Sequence, residues 1–236
     1  MIASKILIVT PTAPEYAAVS SALGKKPEIE RLRLQQCGVG MRQASAFCAT
    51  LDAGSISCLV LLGWAGGLLP DLKPGEIILG KHALFADEPP MVCTIPTGIQ
   101  ENLERAGIGK VRTGNMITTS QVLATPEAKH SAQQMAALAV EMEAYPLAAW
   151  ANTNGLPFVH GRVILDAVHE SLPMLGDSLD KFGRPRIIPI IARVIRHPAL
   201  IGQIWWLALR IHQLNSHLAV LAGALVDALA AGDGPI

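Results

Sequence analysis

Hydrophobic and polar positions alternate between two rhythms along this chain. Residues 5–10 (KILIVT) are a continuous apolar run closed by Pro11, the pattern of a strand buried on both faces. From Glu15 to Leu23 apolar positions recur at helical spacing, and Gly24 stops the helix. Residues 29–36 (IERLRLQQ in 29–36) alternate as a half-exposed strand does. Gly38-Val39-Gly40 then leads to a helix from about Gln43 to Leu51. A second buried strand over 57–62 ends in a glycine-rich turn, Gly63 to Gly67. Pro74-Gly75 turns into a strand at 77–80, and Pro89, Pro90 and Pro96 leave 86–98 weakly ordered. Further along, the pattern predicts a helix near 98–106, a strand at 110–119, helices at 126–136 and 143–153, and a strand at 157–165. Strands alternating with helices predict an α/β three-layer sandwich with a largely parallel mixed sheet.

Residues 186–230 change character. They carry no strand signal and keep helical spacing throughout, with Pro189 and Pro198 placed to start helices. Two or three helices are expected there. The chain thus divides into an α/β domain, 1–185, and a helical C-terminal extension, 186–236, packed on the core or on lipid. Ile187, Ile188, Ile190, Ile191, Val194 and Ile195 surround Arg186, Arg193 and Arg196, and Trp205-Trp206 sits among apolar residues before Arg210. Tryptophans and basic residues bordering an apolar face suit a membrane interface, a lipid-lined pocket, a dimer interface, or packing on the core alone.

Composition narrows this little. Of 236 residues, 50% are hydrophobic and 16% charged, and the net charge is zero, so nucleic acid is not an expected partner. The zero hides an asymmetry: residues 181–236 hold six basic residues against Asp227 and Asp233. No stretch reaches 18 uncharged apolar residues, so no transmembrane helix is expected. Lys5 and Glu15 argue against a signal peptide, and a cytoplasmic protein, either free or peripheral on the inner membrane face, is expected. Cys37, Cys48, Cys58 and Cys93 have no metal-ligand spacing and read as small buried hydrophobes. The histidines of the tail, His197, His212 and His217, have no partner at ligand spacing, so neither a metal nor another cofactor is expected.

The chemistry concentrates in two places. Val140-Glu141-Met142-Glu143-Ala144 puts two acids after an apolar stretch, and 23 residues after Glu143 the run Arg162-Val163-Ile164-Leu165 ends in Asp166. Acids rarely sit in apolar runs without a partner or a task. The plainer alternative is helix capping for Asp166 and a helix dipole for the glutamates.

The Glu-Met-Glu motif with its following Asp resembles the nucleoside phosphorylase/nucleosidase superfamily, as does Gly63-Trp64-Ala65-Gly66-Gly67 with Gly75 eight residues on. The resemblance covers roughly residues 5–170. It departs at Glu76, where the family pattern has Asp, and at Val122, where the nucleosidases carry a base-stacking Phe. The resemblance implies cleavage of an N-glycosidic bond in an adenine nucleoside. Asp166 becomes the acid that protonates the leaving purine, and Glu143 and Met142 hold the ribose. Glu15 orders an attacking water. Gly38, Gly40, Arg42, Ala65, Gly66 and Thr118 border the phosphate or water site, and Gly67, Val122 and Val140 line the base pocket. Glu141 is structural. Glu15 favours water as nucleophile, whereas Arg42 and Arg112 favour inorganic phosphate as co-substrate.

Within the superfamily, Arg162–Pro173, then Asp180-Lys181-Phe182-Gly183-Arg184, then Arg196-His197-Pro198 resemble the hopanoid-associated phosphorylases, a branch proposed to release adenine from adenosylhopane. That implies a lipid-linked nucleoside substrate and peripheral membrane contact through 186–230. A homodimer is the expected assembly. Two other readings stay open: a methylthioadenosine/adenosylhomocysteine or futalosine nucleosidase, and an inactive nucleoside-binding protein held at a membrane by its tail.

Overall fold

The computed structural model describes residues 5–24, 30–108, 111–133, 136–173, 180–182, 194, 196–198 and 200–231. In chain order the elements are β1 (Lys5–Thr10), α1 (Ala13–Leu23), β2 (Leu32–Gln36), α2 (Met41–Cys48), β3 (Ile56–Gly67), β4 (Ile77–Leu84), β5 (Met91–Val92), α3 (Ile99–Arg105), β6 (Val111–Thr118), α4 (Pro126–Ala132), β7 (Ala139–Glu141), α5 (Ala144–Thr153), β8 (Phe158–Asp166) and α6 (Leu200–Ala231).

The strands form one eight-stranded mixed sheet. β1 pairs in parallel with β2 and β3, and β3 continues in parallel into β8. β8 runs antiparallel to β4, β4 parallel to β6, β6 parallel to β7, and β7 returns antiparallel to β3. The middle of the sheet therefore closes on itself, and the C-terminal ends of β3 and β8 and the start of α5 come together.

Helices cover both faces, as the alternation of strands and helices predicts. On one face α1, α3 and α6 pack against Ile8, Val60, Leu62, Leu79 and Val163 of the sheet. On the other, α2 and α5 pack on Leu7, Val9, Leu59 and Leu61. The α6 helix is not a loose appendage. Leu214, Leu218, Leu221, Ala222, Leu225 and Val226 are buried in the core, and Gly161 lets α6 come close: a Cβ there would sit 3.2 Å from Leu221 Cδ2. By length and composition α6 could cross a bilayer, with hydropathy of 1.5, but its C-terminal half is the inner face of a core helix. Over 200–231 there is one helix of 32 residues. Residues 184–193, including the isoleucine-rich stretch and Pro189, lie outside the described residues.

Two features depart from the sequence pattern. The Gly63–Gly67 segment is not a turn but the end of β3, which runs 12 residues. The proline-bearing 86–98 stretch includes β5, paired with β4. The four cysteines are buried free thiols, in line with their reading as small hydrophobes.

Candidate active site

Thr12 opens α1 with a capping box: its hydroxyl accepts from Glu15 N, and Glu15 Oε2 accepts from Thr12 N at 2.7 Å. Glu15 thus helps to start α1. The same carboxylate does more, because Oε1 accepts from Trp64 N on β3 at 2.8 Å. Glu15 is 3% exposed, and burial raises its pKa, with the Arg162 charge working the other way.

Arg162, fully buried on β8, binds the acids together. Its Nη2 donates to Glu141 Oε2 at 2.5 Å and to Glu143 Oε2 at 3.2 Å, and its Nε donates to His160 Nε2 at 3.0 Å. Burial opposes the Arg162 charge, but Glu141, Glu143 and Glu15 outweigh it and its pKa rises. Burial and the neighbouring guanidinium hold His160 well below its ordinary value, so the imidazole is neutral and carries its proton on Nδ1. Gly63 makes the arrangement possible. A Cβ there would lie 2.5 Å from Glu15 Oε1 and would overlap Arg162 Nη1.

Glu141 and Glu143 divide their work. Glu141 Oε2 accepts from Glu143 N and Ala144 N, both at 2.8 Å, and so caps the first turn of α5. Thr118 joins it, donating to Glu141 and accepting from Tyr145 N at 3.0 Å. The Thr118 hydroxyl is thereby engaged at the start of α5. Glu143 Oε1 instead accepts from Gly40 N at 2.7 Å. Burial lifts the Glu143 pKa to about 7, against the Arg162 charge and with Glu141 adding to the rise.

Asp166 ends β8 beside a fault in the strand register: Ala65 faces Ile164, and Gly66 faces Asp166. Successive residues of a regular strand face opposite sides, and a bulge breaks the rule. Leu165 and Asp166 thereby line the same cavity. The Asp166 carboxylate is 1% exposed and pairs with Lys129, itself fully buried on α4. Burial raises the Asp166 pKa to about 6, and Lys129 pulls it down.

Several of these groups border one cavity of about 180 Å³. Glu15, Ala65, Gly66, Val122, Val140, Met142, Glu143 and Asp166 of the expected set line it, with Trp64, Thr119, Leu123, Glu141 and Arg162. Gly38, Gly40, Arg42, Thr118 and Gly67 do not. Gly40 is spent on Glu143, and Gly38 packs against Lys181 O. Gly67 sits behind the cavity, where a Cβ would be 3.3 Å from Asp166 O. Arg42 is exposed on α2. Arg112, the other cation expected for phosphate, is bound to Asp71 at 2.8 Å and Glu76 at 3.3 Å. Among the described residues no cluster of three His, Cys, Asp or Glu is placed to hold a metal ion.

Sequence reasoning named neither Lys129 nor Arg162 as part of the site. Arg162 had a signal: it breaks the apolar run of β8 two residues after His160 and four before Asp166, on the same strand face as His160. Lys129 had none, since α4 reads as an ordinary polar surface helix, PEAKHSA.

The sequence profile of the Phosphorylase superfamily matches residues 5–183. A search of curated proteins found no match. Among solved structures, futalosine hydrolase of Helicobacter pylori strain 26695 aligns over 95% of this chain and 97% of its own, at 15% identity and a TM-score of 0.69. The 5′-methylthioadenosine/S-adenosyl homocysteine nucleosidase of Helicobacter pylori aligns over 98% and 99%, at 14% identity and a TM-score of 0.66. That of S. pneumoniae aligns over 94% and 99%, at 17% identity and a TM-score of 0.64. At such identities the likeness is one of fold, and it runs past residue 183 to take in α6. With three quarters of its length matched by the profile and the acids of the sheet end gathered round one cavity, the chain belongs to the Phosphorylase superfamily and is an enzyme of it.

Proposed function

We propose that the chain hydrolyses the N-glycosidic bond of an adenine nucleoside carrying a large apolar 5′ group, adenosylhopane being the substrate this reading favours. The observation that carries the cleavage is that Asp166, Glu143, Met142 and Glu15 line one cavity. Asp166 protonates the purine as the bond to C1′ breaks, so that the base leaves neutral. Glu143 accepts hydrogen bonds from the ribose hydroxyls with Met142 against the sugar, and the carboxylates offset the positive charge growing on the ribosyl centre. Glu15, fixed by Thr12 and Trp64, orients the attacking water. Water is favoured over phosphate because Gly40 N is engaged with Glu143 and Arg112 with Asp71 and Glu76, while Arg42 does not line the cavity.

Support for the apolar 5′ group comes from what lies beside the cavity. Leu172 lines it, and its neighbours Glu170 and Ser171 line a second, open cavity of about 390 Å³ with Gly202, Gln203 and Trp206 of α6. Ile201, Trp205 and Leu209, at helical spacing on α6, are exposed by 59%, 67% and 46%. An apolar substituent leaving the ribose along residues 170–172 would meet this ridge, and the ridge would rest on the cytoplasmic face of a membrane. The Asp180–Phe182 turn of the branch motif backs the site, with Phe182 O accepting from Ala13 N and Lys181 O from Val39 N. Gly183 and Arg184 lie outside the described residues.

A second reading is a methylthioadenosine/adenosylhomocysteine or futalosine nucleosidase, favoured by the fold likeness over the whole chain. Chromatography of the products from adenosines with methylthio or long alkyl 5′ groups, with and without phosphate, separates the two. The first reading predicts adenine and a free sugar from the alkyl substrate, unchanged by phosphate. Preference for the methylthio substrate favours the second, and ribosyl 1-phosphate as product removes the hydrolytic mechanism.

A further inference from the structure

Lys129 is buried without exposure, and all three of its ammonium hydrogens have acceptors. Nζ donates to Asp166 Oδ2, to Ala167 O at 2.7 Å and to Glu170 O at 2.9 Å. The segment leaving β8 is thus wrapped round one cation supplied by α4. The same segment is held a second time: Glu170 accepts from Ala167 N at 2.8 Å and pairs with Arg210 of α6 at 2.9 Å. An ammonium this close favours the ionised form of the carboxyl it touches.

We propose that Lys129 is the positioning residue of Asp166: it holds the carboxyl by Oδ2, leaves Oδ1 to the cavity, and sets the pH above which Asp166 no longer has a proton to give. This rests on the reading of Asp166 as proton donor to the leaving base. The charged groups facing Asp166 are Lys129 from α4, Glu170 from the segment after β8, and Arg210 from α6. Glu170 opposes ionisation and Arg210 assists it, but these two are engaged with each other, so Lys129 is the decisive neighbour. In the reaction the proton passes from the Asp166 carboxyl to the purine ring nitrogen while the C1′–N bond breaks and its electron pair goes to the base. Water adds to C1′ and releases one proton to solvent, and Asp166, left as the carboxylate paired with Lys129, takes its next proton from solvent. Activity therefore falls on the alkaline side as Asp166 ionises.

The test is Lys129→Met, followed by two readouts. One is the pH profile of kcat/KM for adenine release; the other is the carboxyl-carbon NMR titration of Asp166, assigned with Asp166→Asn. Loss of the cation should move both the alkaline limb and the titration to higher pH by roughly 1–3 units, the usual reach of an adjacent opposite charge. At a pH above the wild-type limb the variant would then outpace wild type. Lys129→Arg should leave both near wild type. A variant slower at every pH with limb and titration unmoved would show Lys129 to be structural only and would overturn the proposal. If Lys129→Met does not fold, Lys129→Gln replaces it with the same expected direction. If wild type cleaves no nucleoside, the titration alone decides: movement keeps the role of Lys129 and discards the reading of Asp166, and no movement discards the role.

Discussion

At the scale of residues, the site depends on a few close approaches. Gly63 admits Glu15 and Arg162 on the same side of β3, where any side chain would displace both. Gly63→Ala should therefore lower activity by at least about tenfold and stability by about 1–3 kcal/mol, the usual effect of overfilling a packed site. Steady-state rates with a urea melt check this; unchanged kinetics would mean that Glu15 and Arg162 have room the geometry denies them. Glu143 gives a second prediction. Its folded pKa is raised by burial to about 7, above the ordinary carboxylate value. A carboxyl that holds its proton more tightly when folded favours the fold below its unfolded pKa, and that contribution is lost as pH rises through the folded value. The stability of Glu143→Gln relative to wild type should thus improve steadily from about pH 4.5 to 7. Thermal melts across that range test it, and a difference that does not change with pH would place Glu143 in contact with water. Glu143 and Asp166 could be singled out from sequence because each follows an apolar run, whereas Glu15 is reached only through the family resemblance. Lys129 could not, because a lysine in a short polar helix looks the same whether it meets water or a buried aspartate.

At the scale of elements, the short or unusual pieces were the hard ones to read. β7 has only three residues, too few for a period of two to register, yet it brings Glu141 to the sheet. β3 passes through Gly63 to Gly67 as a strand because β8 and β7 pair with it on either side, which glycine composition alone disguises as a turn. The two halves of α6 also differ more than its even apolar pattern suggests. Leu221 is fully buried against the sheet, whereas Trp205 is 67% exposed. Leu221→Ala should destabilise by about 2–5 kcal/mol, and Trp205→Ala should stay within about 0.5 kcal/mol of wild type. Trp206 is the less exposed of the tryptophans and stacks under Arg210 at 4.8 Å. Chemical denaturation of the single variants checks the contrast. Equal losses at both positions would mean that the N-terminal half of α6 is covered in solution.

At the scale of the whole molecule, alternating strands and helices announced the layers, but not the closure of the sheet. Closure needs β8 to join β3 and β4, and β7 to join β3 and β6, across separations of up to about a hundred residues that local pattern does not encode. That closure gathers Glu15, Glu143, Arg162 and Asp166, distant in sequence, round one cavity. The exposed ridge of Ile201, Trp205 and Leu209 belongs to this scale too. If it meets lipid, wild type should sediment with anionic vesicles at low salt, less so as salt screens the headgroups, and Trp205→Ala should weaken the binding. Loss of dimer mass in the variant with no vesicle binding by wild type would make the ridge an interface between copies instead. The central claim is narrower than either outcome: the gathered acids break a glycosidic bond, with Asp166 giving the proton. Its most direct test is adenine release from an adenine nucleoside by wild type and by Asp166→Asn, measured near pH 6 beside nucleoside binding. The account predicts that the variant binds as before and turns over more slowly by on the order of 10²–10⁴. Equal turnover by the two proteins, or no adenine from wild type, would contradict it.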